Sequence, residues 1–149
     1  MKITEILEAE HRVMLTVFDQ IEGVMPSLTT IPEVRLLARI MEGMLEGHAQ
    51  AETDLAYLAL DHVLKEKGEL DRLHEEHREI DASLRQVPLA GTFAEARLLL
   101  EAAIAASREH FRFEEQAVFP VLDRVLRGET LTELASALKE RWPTGSPPA

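Results

Sequence analysis
The chain of 149 residues contains no cysteine. Disulfides, thiolate metal sites, iron–sulfur clusters held by its own residues and thiol catalysis are therefore excluded, and any bound metal must take nitrogen and oxygen ligands. Basic residues are also short. Sixteen Lys and Arg stand against 27 Asp and Glu, a formal net charge of −11, and no basic cluster overrides it locally. Such a surface repels phosphate backbones and anionic headgroups, so no nucleic acid and no membrane are expected as partners. No run approaches the roughly 18 to 20 apolar residues of a membrane span, and the opening "MKITEILEAEH" lacks the apolar core of a signal peptide. A cytoplasmic location is the expectation.

What remains is rich in Ala, Leu, Glu and Arg, the mixture of strong helix formers that predicts one all-α domain. Pro and Gly fall mostly where helices should end, at Pro26, Pro32, Gly68, Pro88, Gly91, Gly128 and in the tail "RWPTGSPPA". The first helix is expected from about Ile3 to Val24, with Ile3, Leu7, Met14, Val17, Phe18 and Ile21 at helical spacing. The second starts near Thr30, where Glu33 completes a capping box and Pro32 sits in the first turn, and should continue to about Lys65. The third is expected from about Glu69 to Val87. The fourth opens at Thr92, with Glu95 completing its cap, and runs to about Leu126, with Pro120 set to kink it or end its regular part. Short connections predict an up-down-up-down antiparallel four-helix bundle over residues 1–127. A short fifth C-terminal helix, capped by Thr130 and Glu133, falls in 128–142, with Trp142 as its anchor and a flexible tail at 143–149.

Against this apolar patterning, one pairing recurs. "HAQAE" places His48 and Glu52 at i and i+4 in the second helix, and "HFRFEEQAVFP" places His110 and Glu114 likewise in the fourth. Residues four apart lie one above the other on a helix face, so each pair aims an imidazole and a carboxylate at one point. Met41, Met44 and Leu55 share the face of His48; Ala103, Ala106, Phe113 and Ala117 share that of His110. Both pairs should point inward. His11, between Leu7 and Met14, is the polar exception in the first helix, and His77 sits among Leu70, Leu73, Ile80 and Leu84 in the third. Each helix thus brings an inward histidine. Imidazole suits iron, zinc, copper and nickel, and a carboxylate can bridge two ions, so the set predicts a dinuclear metal site. The charge of the metals makes it tolerable to bury these groups together where burying one alone would not be.

His74, three residues before His77, is close enough on its helix to reach the same site, or else stays on the surface beside Arg78 and Asp81. His62 reads as a surface histidine, Glu115 as a surface charge, and Met41 and Met44 as core packing. Tyr57 is placed near the bundle with no assigned role.

With these residues in hand the chain resembles the hemerythrin-like family, also called the HHE cation-binding domain. The resemblance rests on "EAEHRVM", "GHAQAETDL", "EEHREI" and "HFRFEEQAVFP", and covers about residues 1 to 127. It implies two iron ions bridged by oxide or hydroxide and by Glu52 and Glu114, with His11, His48, His77 and His110 as terminal ligands and His74 as a further metal candidate. Two departures from the oxygen-carrying members stand out. His74 and His77 are spaced H-x-x-H, and the last acidic ligand is Glu114 at i+4. Both fit better the broader bacterial group that resembles sensors, stores or handlers of iron, nitric oxide or peroxide.

Three functions follow as expectations: a di-iron protein that binds or responds to oxygen, nitric oxide or peroxide, or handles iron; a di-iron enzyme that decomposes peroxide or reduces nitric oxide; and a regulatory module that metal stabilises for a partner to read. A homodimer is also compatible with long apolar helices.

Overall fold
The computed structural model describes residues 1–63 and 68–141, and among these every regular element is helical. In chain order they are α1 (Ile3–Val24), α2 (Ile31–Ala51), a π turn (Glu52–Tyr57), α3 (Leu58–Asp61), α4 (Gly68–Gln86), α5 (Phe93–Phe113), a second π turn (Glu114–Val118), α6 (Phe119–Val125) and α7 (Gly128–Arg141). Single 3₁₀ turns at Met25–Ser27 and Val87–Leu89, each containing a proline, close α1 and α4.

Two of the three expected caps form. Glu33 accepts from the backbone N–H groups of Thr29 and Thr30 and from the Thr30 hydroxyl, which draws its carboxyl below the usual range. Thr92 accepts from the Glu95 N–H at 3.1 Å, and Glu95 accepts in turn from the Gly91 N–H. Both reciprocal caps satisfy donors that a helix start leaves open.

Three expectations are corrected. The second helix does not run unbroken to Lys65: it widens at Glu52, and α3 ends at Asp61. Lys65 itself lies outside the described residues. The fourth helix changes character at Glu114, before Pro120, because a residue without an N–H is accommodated by starting α6 afresh with the proline in its first turn. The last helix begins at Gly128, not at a cap on Thr130. The Leu131 N–H reaches the Arg127 carbonyl, and Glu129 places a negative charge on the first turn, where the helix dipole favours it. Trp142 and the tail 143–149 lie outside the described residues.

The long helices pack side by side as a bundle, α4 against α5, α2 against both, α1 beside α2 and α5, with α7 laid along α1. The core is in two pieces. One gathers Met14, Phe18, Met41, Leu45, Ile80, Leu84, Leu100, Ile104 and Phe111. The other gathers Ile3, Leu7, Ala56, Tyr57, Leu60, Leu73, Val118, Phe119, Leu122 and Leu131. Between them, at the level where α2 and α5 pass into their π turns, lies a buried polar layer.

Candidate metal centre
That layer is made of the residues the sequence pattern singles out. His11, Glu52 and Glu114 are fully buried, His48 and His110 nearly so, and His77 partly. His11 leaves the apolar stripe of α1 between Leu7 in one core and Met14 in the other; Leu73 and Ile80 flank His77 on α4 in the same way. His11 is held in plane by the Phe111 ring, 4.0 Å away and tilted by 13°. The two pairs His48–Glu52 and His110–Glu114 each end an α-helix and open a π turn.

The π turns have a geometric purpose. In an α-helix, a residue five positions on has rotated well off the starting face. Here Tyr57, five after Glu52, and Phe119, five after Glu114, are both buried, because the wider turn absorbs the additional residue and restores the inward register. The helices thus supply a polar layer and return to apolar packing within one turn.

The inner atoms converge. His48 Nε2 lies 3.1 Å from Glu52 Oε1, and His77 Nε2 lies 3.4 Å from Glu52 Oε2. His11 Nε2 lies 3.4 Å from Glu114 Oε2 and 3.6 Å from Glu52 Oε1, while His110 Nε2 lies 3.4 Å from Glu114 Oε2. His11 and His48 bring their Nε2 atoms within 2.9 Å of each other. Two groups of ligand atoms result, each spanning no more than 4.8 Å: His11, His48, Glu52 and Glu114, and Glu52, His77, His110 and Glu114. Both glutamates belong to both groups.

The outer nitrogens are held by carboxylates from neighbouring helices. His11 Nδ1 meets Glu115 Oε1 at 2.9 Å, His48 Nδ1 meets Glu10 Oε2 at 2.7 Å, and His110 Nδ1 meets Glu76 Oε2 at 2.8 Å. Such contacts fix the ring orientation and leave Nε2 directed inward. Glu115 is therefore a partner of the site, not the free surface charge expected, since the turn at Glu114 carries its neighbour toward α1. Glu10 and Glu76 are contributors that sequence reasoning missed. The one available signal was that each precedes a site histidine, yet each holds a histidine on another helix. Tyr57, placed near the bundle by the sequence but given no partner there, takes a definite one. Its hydroxyl donates to Glu114 Oε1, and its ring stacks on His77 with centroids 5.9 Å apart.

Electrostatics agree with a site built for cations. Burial alone would lower the histidine pKa values, but Glu114 and Glu52 raise His11 to about 9, and Glu52 with Glu10 raises His48 to about 10. His110 is raised too, Glu114, Glu52 and Glu76 together outweighing its burial. Burial would raise Glu52, but His48, His11 and His77 hold its carboxyl well below the usual range. Burial, then Glu52 and Glu114, push Tyr57 up, so it stays a phenol and a donor. Even so, both oxygens of Glu52, Oε2 of Glu114 and Nε2 of His110 are buried without a hydrogen-bond partner. Buried polar atoms are normally satisfied, and these four all belong to residues of the two ligand groups. Imidazole nitrogens and carboxylate oxygens in that arrangement fit divalent or trivalent transition metals.

The remaining histidines stand apart. His74 joins neither group; its ring packs edge-on against Tyr57 at 5.5 Å, beside Asp71 and Leu70. His62 is exposed at the end of α3, as expected, and Met41 is core, with Met44 packed against it.

No described helix is long and apolar enough to cross a membrane. Neither the comparison with curated proteins nor that with solved structures finds a match. The family described as the hemerythrin HHE cation binding domain matches residues 2–122, a stretch that contains every residue of the polar layer. The chain belongs to the hemerythrin HHE cation binding domain family.

Proposed function
We propose that this chain is a non-haem di-iron protein that binds or responds to oxygen, nitric oxide or peroxide, built on an up-down-up-down bundle. The observation that carries the reading is the sharing of Glu52 and Glu114 by two four-residue groups, each completed by two histidines from different helices. In this reading His11 and His48 would hold one iron, His77 and His110 the other, and both glutamates would serve both, with an oxide or hydroxide completing the centre. His74 takes no metal and packs against Tyr57. Two irons so held would supply reversible redox change and a coordination position for a small exogenous ligand.

The protein's own part is to hold, orient and exclude. Glu115, Glu10 and Glu76 hold the Nδ1 side of His11, His48 and His110, so that once a metal takes the place of the inner protons each Nε2 would offer its lone pair to the layer. Tyr57 keeps a proton on its hydroxyl and donates it in a hydrogen bond to Glu114, which orients that carboxylate. The two apolar cores cover the layer from above and below, and the low local dielectric they impose strengthens the charge interactions inside it.

Metal analysis with an optical spectrum on protein grown in iron-supplemented medium tests the proposal. About two irons per chain, with near-ultraviolet oxo-to-iron bands that dithionite and then oxygen, nitric oxide or peroxide alter, is the expected result. Protein that holds no metal and cannot be reconstituted, or that holds one zinc and is inert, would overturn it.

A further inference from the structure
The outer face of α2 has a composition that its own fold does not require. Leu36, Ile40, Gly43 and Gly47 follow one another at steps of four, three and four, one continuous stripe on a helix. Leu36 is 60% exposed and Ile40 47% exposed. Glycine in a helix interior weakens it, and an added Cβ at Gly43 or Gly47 would meet nothing within 4 Å, so no intrachain contact explains either glycine. Together with Met44 and the exposed Val13 of α1, the two glycines border an open, mainly apolar groove of about 720 Å³ between α1 and α2.

The charges beside this stripe are arranged with a direction. One residue before each member of the stripe comes Arg35, Arg39, Glu42 and Glu46, basic in the first half and acidic in the second. Arg39 and Glu46 are exposed and form no ion pair among the described residues. Where such a flank faces its own kind, as it does in an antiparallel pair, its basic half meets the acidic half of the copy.

We propose that this face is a homodimer interface in which α2 packs antiparallel on α2 of a second copy, about a two-fold axis at the level of residues 40–43. That register sets Ile40 over the second copy's Gly43 and Leu36 over its Gly47, large against small, with each contact occurring twice as a two-fold demands. In an antiparallel helix pair, flanking positions of the same kind face each other, so Arg39 meets the second copy's Glu46 on both sides of the axis. The apolar side chains from one copy enter the groove that the glycines leave open in the other. A contact made by one helix face from each copy falls toward the small end of stable interfaces, which need roughly 1,000 Å² in total, and predicts a dimer that dissociates on dilution. The inference does not depend on the metal reading.

Sedimentation velocity on the full chain over a concentration series tests it, with circular dichroism as the control for folding. The wild type should move from monomer to dimer, and Ile40→Lys should raise the dissociation constant by at least about tenfold. Arg39→Glu alone and Glu46→Arg alone should each weaken the dimer, since each sets like charges face to face; an equal mixture of the two should recover it as a heterodimer. A wild type that stays monomeric throughout would leave the groove to another occupant, an apolar small molecule or a different helix, and would overturn the proposal. So would a dimer indifferent to Ile40→Lys, or a mixture of the charge variants that does not re-associate.

Discussion

The hydroxyl of Tyr57, on the π turn that follows α2, donates to Oε1 of Glu114, on the π turn that follows α5. Oε2 of the same carboxylate faces the imidazoles of His11 and His110. One glutamate is thus gripped on its outer oxygen and presented on its inner one. Tyr57→Phe leaves that buried oxygen without its donor, and the metal-free protein should lose about 1–3 kcal/mol. Urea unfolding of the two metal-free proteins measures it; equal midpoints would mean that the hydroxyl does not support Glu114.

Because Glu52 belongs to both ligand groups, its loss should act on both metals. Glu52→Ala is expected to bring iron content from about two per chain to well below one, whereas His77→Ala should spare the half-site of His11 and His48 and retain about one. Elemental analysis after identical reconstitution separates the two. If both variants keep the same partial occupancy, the glutamate is not shared.

Glu10 touches His48 from outside the ligand groups. Glu10→Gln should leave helix content unchanged and weaken metal binding by about 10–100-fold, measured by competition with a chelator of known affinity. Glu76→Gln should act similarly through His110.

Glu33 offers a test of the fold independent of the site. Its carboxyl is held below 4.5 by the Thr30 hydroxyl and the backbone N–H groups of Thr29 and Thr30. A folded-state value lower than the unfolded one gives stabilisation that is complete above about pH 4.5 and is lost as pH falls through the folded value. Glu33→Gln should therefore melt at lower temperature than the wild type at pH 7, and the gap should narrow at pH 3.5. A gap that stays constant with pH would show that the charge on Glu33 plays no part.

Much of this was legible in the chain. Helical periodicity, with proline and glycine at the breaks, indicated the long helices, and four inward histidines with two glutamates at i+4 indicated the polar layer. Two of the misses share one cause. A constant α period was carried through Glu52 and Glu114, where the backbone widens, so Tyr57 was given no definite partner and Glu115 was read as a surface charge. Glu10 and Glu76 escaped for a different reason. Their partners lie on other helices, at a height and rotation that only packing decides, and no spacing within one helix encodes that.

The polar layer also has a mechanical meaning. His11 and His48 are 37 positions apart in the chain, and His110 is a further helix hairpin away, yet all meet at one level of the bundle. A loaded centre would tie these segments as a covalent bridge does, removing loop entropy from the unfolded chain. In a protein without cysteine, that clasp would open and close with metal supply and not with thiol oxidation.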